Sequence, residues 1–258
     1  MNPIAFEIGS MPIRWYGIMA AAGFIAASFI MEKNRKHANL SQDDCGTLLI
    51  IALIFGLIGA RLFYVTQFFY EKGYSRNLMR IFYLHEGGLV FYGGFILATL
   101  AIIFYTRKKK MDTIRVMDIF TPAMAAAHAC GRIGCFLNGC CYGRATDSFW
   151  GVTAPVGSHL WFETEGKPVH PVQLLEAGEN IILCGIFWWM LKKNSPRGVV
   201  VSCYFATYGF LRCFNEMLRG DNDLFWKLTP AQWIGIAMIC IGSGMLYFFL
   251  RKNNEKRT

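Results

Sequence analysis

Long stretches of this chain lack charge altogether. Residues 15–31 and 87–106 contain no Asp, Glu, Lys or Arg, and charged residues make up only 17% of the 258-residue chain. Soluble domains carry about 25% charged residues, so this composition argues against a soluble globular protein. Stretches of roughly 20 apolar residues are long enough to cross a bilayer. Because a backbone in lipid must satisfy its own hydrogen bonds, each such stretch is expected to be a helix.

Seven apolar stretches follow one another along the chain. They predict an all-α integral membrane protein with seven transmembrane helices, forming a single transmembrane domain over residues 1–258. The connection at 137–172 is too long for a simple turn and too short for a core of its own, so it predicts a small surface lobe. The predicted spans cover about residues 15–31, 46–68, 88–106, 118–137, 173–191, 199–218 and 230–250.

The N-terminus lacks the basic leading region of a secretory signal peptide. It opens with Met1, Asn2 and Pro3 and carries the acidic Glu7. We therefore expect no cleaved signal, and we expect residues 1–13 to lie on the membrane surface.

The net charge of +9 is distributed over loops and is not read as a nucleic-acid-binding surface. Lysines and arginines are concentrated in the loops after the first, third, fifth and seventh spans, as in the run at 107–110. The positive-inside rule places these loops in the cytoplasm. The N-terminus and the lobe are then predicted to lie on the outer side of the membrane and the C-terminus in the cytoplasm, and no nucleic-acid partner is expected.

Three arginines, Arg61, Arg132 and Arg212, fall inside predicted spans. A charge at membrane depth is costly and is usually functional. Arg132 lies 13 residues after Ile119 and Arg212 lies 13 residues after Val199, and Ile119 and Val199 are both near the predicted cytoplasmic ends of their spans. This is about 20 Å along a helix and in the outer half of the bilayer. Two guanidinium groups at one depth suit the phosphate of a phospholipid. The alternative is an ion-pair network that only holds the helices together.

The sixth predicted span places Tyr208, Arg212 and Glu216 on one helical face, because they are spaced four residues apart. Arg212 and Glu216 are therefore expected to pair. Glu176 and Glu179 enter the fifth span at its outer end, and either one can pair with an arginine of the site.

Residues 131–143 read GRIGCFLNGCCYG and combine four glycines with three cysteines. The glycines indicate irregular backbone that lines a cavity or approaches another segment closely. Together with Cys130, the cysteines lack the two-residue spacing of structural zinc sites and of thioredoxin-like pairs. Metal or redox chemistry is thus the less favoured interpretation, and a disulfide that involves Cys140 or Cys141 stays open.

The same run resembles the signature of the prolipoprotein diacylglyceryl transferase family, whose usual form is G-R-[IL]-G-N-F-x-N-x-E-x-x-G. Further motifs of that family stand in the family's order between residues 14 and 219. The resemblance implies a multi-pass enzyme of the bacterial inner membrane, and seven spans with a periplasmic N-terminus fit it. The other motifs are RWYG at 14–17, GARLFY at 59–64, EGGLVFYGG at 86–94, HPVQLLE at 170–176 and YGFLRCFNEMLR at 208–219.

The resemblance implies the first step of bacterial lipoprotein maturation. In that step a diacylglyceryl group moves from phosphatidylglycerol to the thiol of the lipobox cysteine of a prolipoprotein and forms a thioether. The implied partners are phosphatidylglycerol, prolipoprotein signal peptides and membrane lipids, and neither a cofactor nor a metal is expected. Three alternatives stay open: a membrane transferase of this fold with another acceptor, a lipid-binding or transport protein, and a cysteine-based redox or metal protein of the membrane.

By the resemblance, catalytic roles fall on Arg132, Arg212, Tyr92 and Glu216, with the arginines stabilising the leaving phosphate. Substrate-binding roles are implied for Tyr16, Arg61, Gly93, Gly94, Asn138, Gly143 and Tyr208.

Three positions depart from the family's pattern. Tyr92 replaces a histidine, Cys135 an asparagine and Cys140 a glutamate. A phenol is a weak base near neutral pH, so Tyr92 is expected to act as a hydrogen-bonding group and not as an obligate base. His128, one helical turn before Arg132, is the candidate substitute base.

Overall fold

Helices dominate the computed structural model, which describes residues 3–9, 11–72, 74, 77–83, 87–219 and 226–255. Long helices cover each of the seven predicted spans, and the predicted helical class is confirmed. The helices are α1 (Trp15–Asn34), α2 (Gln42–Gln67), α3 (Phe91–Lys108), α4 (Thr113–Asn138), the short α5 (His159–Glu163), α6 (Val172–Lys192), α7 (Val199–Glu216) and α8 (Pro230–Asn254).

Four segments of the described chain are long and apolar enough to cross a membrane: Trp15–Ala38, α2, α6 and α8. Polar residues lower the mean hydropathy of other long helices; α7, for example, carries Arg212, Asn215 and Glu216 near its end. The apolar helices support an integral membrane protein. Seven spans and the orientation of the chain stay predictions.

A small hairpin precedes α1 and adds two strands to the predicted all-α class. Strand β1 (Ile4–Ile8) pairs antiparallel with β2 (Met11–Arg14), with Ile4 opposite Arg14 and Ile8 opposite Met11. The Trp15 amide, at the start of α1, donates to the Pro3 carbonyl at 3.1 Å. The hairpin is thereby tied to the first turn of α1.

The chain packs as two compact units, Ala38–Val116 and the combination of Met1–His37 with Met117–Thr258. In the first of these, α2 and α3 approach so closely that a Cβ on Gly93 or Gly94 would collide with backbone oxygens of α2. Both glycines are buried. Their observed task is close helix packing, and the predicted substrate contact at Gly93 and Gly94 stays a prediction. The single transmembrane domain over residues 1–258 also stays a prediction.

In the other unit, a buried carboxylate caps the start of α7. Asp118, which lies in α4 and is 0% exposed, accepts hydrogen bonds from the amides of Gly198 at 2.8 Å and Val201 at 3.0 Å. These amides belong to the first turn of α7, where backbone donors have no partner within the helix. Asp118 thus joins α4 to α7 at the end of α7 opposite to Arg212.

We expect Asp118→Ala to lower the free energy of unfolding by about 2–4 kcal/mol, because it leaves two buried amides without an acceptor. Asp118→Asn should cost less, since its amide oxygen still accepts one bond. Denaturant or thermal unfolding in detergent measures both variants. The exposed Asp147→Ala, in the same unit, is the control, and equal stability of Asp118→Ala and Asp147→Ala would contradict the prediction.

The segment between α4 and α6 is short and largely irregular. It contains α5 and two isolated bridges, in which Val169 pairs with Ala145 and with Val152. Gly143 donates its amide to the His170 carbonyl at 2.9 Å, and a Cβ at Gly143 would meet the Leu218 carbonyl and the Val172 side chain. These contacts tie the segment to α6 and to the end of α7, and the small lobe at 137–172 and its periplasmic location stay predictions.

Candidate active site

One carboxylate, that of Glu176 in α6, joins two of the arginines predicted at membrane depth. The Arg132 Nε atom pairs with Glu176 Oε2, and the Arg212 Nη1 atom lies 3.3 Å from Glu176 Oε1. Arg212 Nη2 also pairs with Glu216 Oε2 at 2.9 Å, as the spacing on α7 predicts. Residues from α4, α6 and α7 thus form one ion-pair cluster, hereafter the Arg–Glu cluster.

The Arg–Glu cluster is largely withdrawn from solvent. The side chains of Arg132 and Arg212 are 16% and 14% exposed, and those of Glu176 and Glu216 are 5% and 0% exposed. Its two guanidinium groups and two carboxylates balance formally in charge. The carboxylates offset the cost of burying the guanidinium groups, which is large for an unpaired charge.

Arg132 retains unused hydrogen-bonding capacity. A guanidinium group has five N–H donors, and the contacts of Arg132 within the described chain engage only its Nε atom, with Glu176 and with His128. Its two terminal nitrogens make no hydrogen bond to the described residues. They supply the paired donors that a phosphate group accepts.

His128 is turned toward Arg132. The Arg132 Nε atom donates to His128 Nε2 at 3.2 Å, so that nitrogen acts as an acceptor and carries no proton while the bond is made. The His128 ring also packs at 5.5 Å from that of Tyr208, which stacks on Tyr204 at 5.4 Å. Histidine and tyrosine therefore form an aromatic wall beside Arg132, and a role of His128 as base stays a prediction.

The end of α4 brings further predicted residues close to the Arg–Glu cluster. The Tyr16 ring of α1 lies against Gly134, which has no room for a side chain without a shift. Tyr16 is 48% exposed and lies within electrostatic range of Arg132. Asn138 is the last residue of α4, and the Cys140 thiol just after it donates to the Cys135 carbonyl at 3.7 Å.

The sequence analysis assigned no role to two residues with side-chain amides near the site, Gln173 and Asn215. Gln173, 1% exposed, donates to the Cys140 carbonyl at 2.7 Å and fixes the turn after α4. Asn215 donates to Glu179 at 2.6 Å, which leaves Glu176 and not Glu179 as the partner of the arginines. Gln173 belongs to the HPVQLLE motif, which is the one sequence feature that could have marked it as a residue of the site.

Arg61, in the unit Ala38–Val116, is occupied by backbone carbonyls. It is 5% exposed, and its Nε, Nη1 and Nη2 atoms donate to five carbonyl oxygens at 2.6–3.2 Å. The rings of Tyr64 and Tyr74 lie 5.8 Å and 5.6 Å from its Cζ atom. The geometry favours a positioning task over the substrate contact predicted for Arg61. The five acceptors belong to Arg80, Ile81, Tyr83, Gly87 and Gly88.

Tyr92 lies in the first turn of α3, directly after the segment that Arg61 holds. It is 42% exposed, so its side chain is accessible. Its ring contacts that of Phe91 at 6.1 Å. A catalytic role for Tyr92 is neither supported nor excluded by these contacts and stays a prediction.

Comparison with known proteins settles which family these motifs represent. A family model described as prolipoprotein diacylglyceryl transferase matches residues 3–248. The chain belongs to the prolipoprotein diacylglyceryl transferase family. The family resemblance seen in the motifs is thus confirmed, and the chain is a bacterial membrane transferase that acts in lipoprotein biosynthesis.

Curated relatives match this member of the family along its whole length. A phosphatidylglycerol–prolipoprotein diacylglyceryl transferase of Clostridium kluyveri is 33% identical over 257 residues, which cover 100% of this chain and 99% of the relative. Its counterpart in Clostridium botulinum is 32% identical over 257 residues and 100% of both chains. That of Bordetella bronchiseptica is 32% identical over 260 residues, covering 97% of this chain and 96% of the relative.

Proposed function

We propose that this chain transfers the diacylglyceryl group of phosphatidylglycerol to the lipobox cysteine thiol in the signal peptide of a prolipoprotein. The observation that carries the proposal is the Arg–Glu cluster, in which Arg132 and Arg212 share Glu176 and Arg132 keeps its terminal nitrogens for a ligand. The names of the relatives state the same donor and acceptor class. Membrane lipids surround the site and supply the donor.

The reaction replaces a carbon–oxygen bond by a carbon–sulfur bond. The acceptor sulfur attacks the glyceryl carbon that bears the phosphate, the thioether forms, and glycerol phosphate departs with the electron pair of the broken bond. Negative charge on the phosphate is stabilised by the guanidinium groups of Arg132 and Arg212. The thiol proton passes to a base, since the thiolate is the nucleophile.

Two polar groups support the arginines in this scheme. Glu216 binds Arg212 Nη2 and orients that guanidinium group. Tyr92 contributes a hydrogen bond to a reacting group, and Tyr16, Asn138 and Tyr208 line the binding region.

The proposed topology follows the predicted spans. The chain crosses the bacterial inner membrane seven times, with the N-terminus and the 137–172 lobe in the periplasm and the C-terminus in the cytoplasm. This orientation agrees with the basic loops, which positive-inside places in the cytoplasm. A secreted precursor then meets the site from the outer side.

Purified protein, labelled phosphatidylglycerol and a lipobox peptide test the activity directly. With the label in the glyceryl carbons of the diacylglyceryl group, we expect it on the peptide through a thioether bond that survives base treatment although base cleaves the acyl esters, and none on the matched peptide in which serine replaces the lipobox cysteine. Equal labelling of both peptides would identify a different acceptor group and overturn the proposal. Growth of a cell depleted of its own diacylglyceryl transferase, restored by this chain, is the expected result in vivo.

Tyr92→Phe is expected to lower the transfer rate by about ten- to hundredfold, because a hydrogen bond to a charged group is worth about 1.5–3 kcal/mol. Tyr92→His should restore much of the rate, since imidazole also donates a hydrogen bond. Initial rates with labelled lipid measure both variants. Tyr105→Phe, on the same helix α3, serves as the matched control, and full activity of Tyr92→Phe would refute the role.

A further inference from the structure

Three thiols converge where α4 ends. The sulfur atoms of Cys135, Cys140 and Cys141 lie within 4.8 Å of one another, and this is the one such group of three or more His, Cys, Asp or Glu side chains in the described chain. All three are free thiols and are partly buried. They are hereafter called the thiol cluster.

An unusual turn brings the three sulfurs together. After Cys135 in the last turn of α4, the Cys140 amide donates back to the Cys135 carbonyl at 3.1 Å. Gly139 and Cys141 then adopt left-handed backbone conformations, with φ of +75° and +63°. This region is natural for glycine and costs free energy for a residue with a Cβ. The fold therefore holds Cys141 in the thiol cluster against its local backbone preference.

Buried contacts hold this turn in place. Gln173 is 1% exposed and donates to the Cys140 carbonyl at 2.7 Å. On the far side of Cys141, Gly143 donates to the His170 carbonyl at 2.9 Å. The backbone that carries the thiol cluster is therefore held by hydrogen bonds on both sides of Cys141.

The spacing of the sulfurs matches what a shared metal ion requires. Metal–sulfur bonds of about 2.3 Å place the sulfurs of a three- or four-coordinate site about 4 Å apart. The sulfurs of the thiol cluster all lie within 4.8 Å of one another, close to that separation. Thiolates are soft ligands that select Zn²⁺ or Cu(I) over Mg²⁺ or Ca²⁺.

We propose that Cys135, Cys140 and Cys141 bind one thiophilic metal ion of the Zn²⁺ class through three thiolates. Binding releases the thiol protons, so the site carries more negative charge than the free thiols do. Arg132, three residues before Cys135 on α4, brings a positive charge to the same end of that helix. The fourth coordination position is open to water. The site lies next to Arg132 and goes beyond the lipid transfer proposed above.

Metal content of the intact, reduced protein in detergent tests the site. After incubation with Zn²⁺ and removal of the excess, we expect one zinc per chain by elemental analysis. Co²⁺ in place of Zn²⁺ should give the near-ultraviolet charge-transfer absorption of cobalt–thiolate bonds. Cys141→Ser should weaken Zn²⁺ binding at least tenfold, whereas Cys184→Ser, which removes a thiol from the middle of α6, should leave it unchanged.

Two results would overturn the metal site. The first is one bound zinc in the variant with serine at all three positions. The second is the absence of cobalt–thiolate absorption in the reduced wild-type protein, a measurement that does not depend on how any variant folds. A disulfide would also overturn the proposal. It would appear as two fewer free thiols than the nine cysteines of the chain in protein purified without reductant, and this deficit would disappear in Cys141→Ser. None of these readouts depends on lipid transfer, so they fail or succeed separately from the proposed function.

Discussion

Arg212→Lys is expected to lower the rate of diacylglyceryl transfer about 100- to 1,000-fold, the range observed when a donor that stabilises a developing anion is removed. Arg212 holds Glu176 through Nη1 and Glu216 through Nη2, and its planar group fixes both contacts at once. A lysine ammonium is a single point charge and cannot reproduce that fork. Initial rates with labelled phosphatidylglycerol and a lipobox peptide measure the loss.

Arg132→Gln should lower the rate of diacylglyceryl transfer by a similar factor, because it too removes a guanidinium group from the Arg–Glu cluster. The substitution removes the terminal nitrogens that we assign to the donor phosphate and also the ion pair with Glu176. Arg144→Gln, at an exposed position after α4, is the control for a general effect of losing an arginine. Wild-type rates in both Arg212→Lys and Arg132→Gln would show that the Arg–Glu cluster only holds the helices together.

Arg61→Gln is expected to lower the free energy of unfolding by about 3–5 kcal/mol, because hydrogen bonds to a charged group contribute about 1.5–3 kcal/mol each and glutamine replaces only some of them. Five carbonyl oxygens between Arg80 and Gly88 lose their donors at once. Arg61→Lys should recover only part of the loss, because an ammonium has three donors where a guanidinium has five. Thermal or denaturant unfolding in detergent gives the ranking of the three proteins.

The exposed Arg107→Gln, at the end of α3 in the same unit, is the matched control for Arg61. A positioning role predicts that activity in Arg61→Gln falls together with stability. If Arg61→Gln unfolds like the wild type but binds phosphatidylglycerol more weakly, Arg61 contacts the lipid directly, as the family motif implied.

The local pairing in α7 was predictable from the sequence, whereas the choice of its partner in α6 was not. Arg212 and Glu216 are four residues apart, and helical periodicity alone places them side by side. Glu176 and Glu179 both stand near the start of α6, and which one meets the arginines depends on the rotation of α6 against α4 and α7. Helix rotation is set by side-chain packing between elements, and residue spacing within one helix does not report it.

Arg61 and the thiol cluster show two further limits of pattern reasoning. The partners of Arg61 are carbonyl oxygens, which every residue carries, so no side-chain type in the sequence marks them. The cysteines do not have the two-residue spacing of structural zinc sites, in which one tight turn of the chain brings two ligands together. Here a left-handed turn at Gly139 and Cys141 closes the distance that the spacing left open.

Glu176 supplies the negative charge that two neighbouring buried guanidinium groups require. Two guanidinium groups in a low-dielectric setting would repel each other strongly if nothing negative lay between them. The carboxylate pairs with both and so allows two cations to share one buried region. On the proposed function the headgroup binds the terminal nitrogens of Arg132, so it joins the carboxylate there and does not displace it.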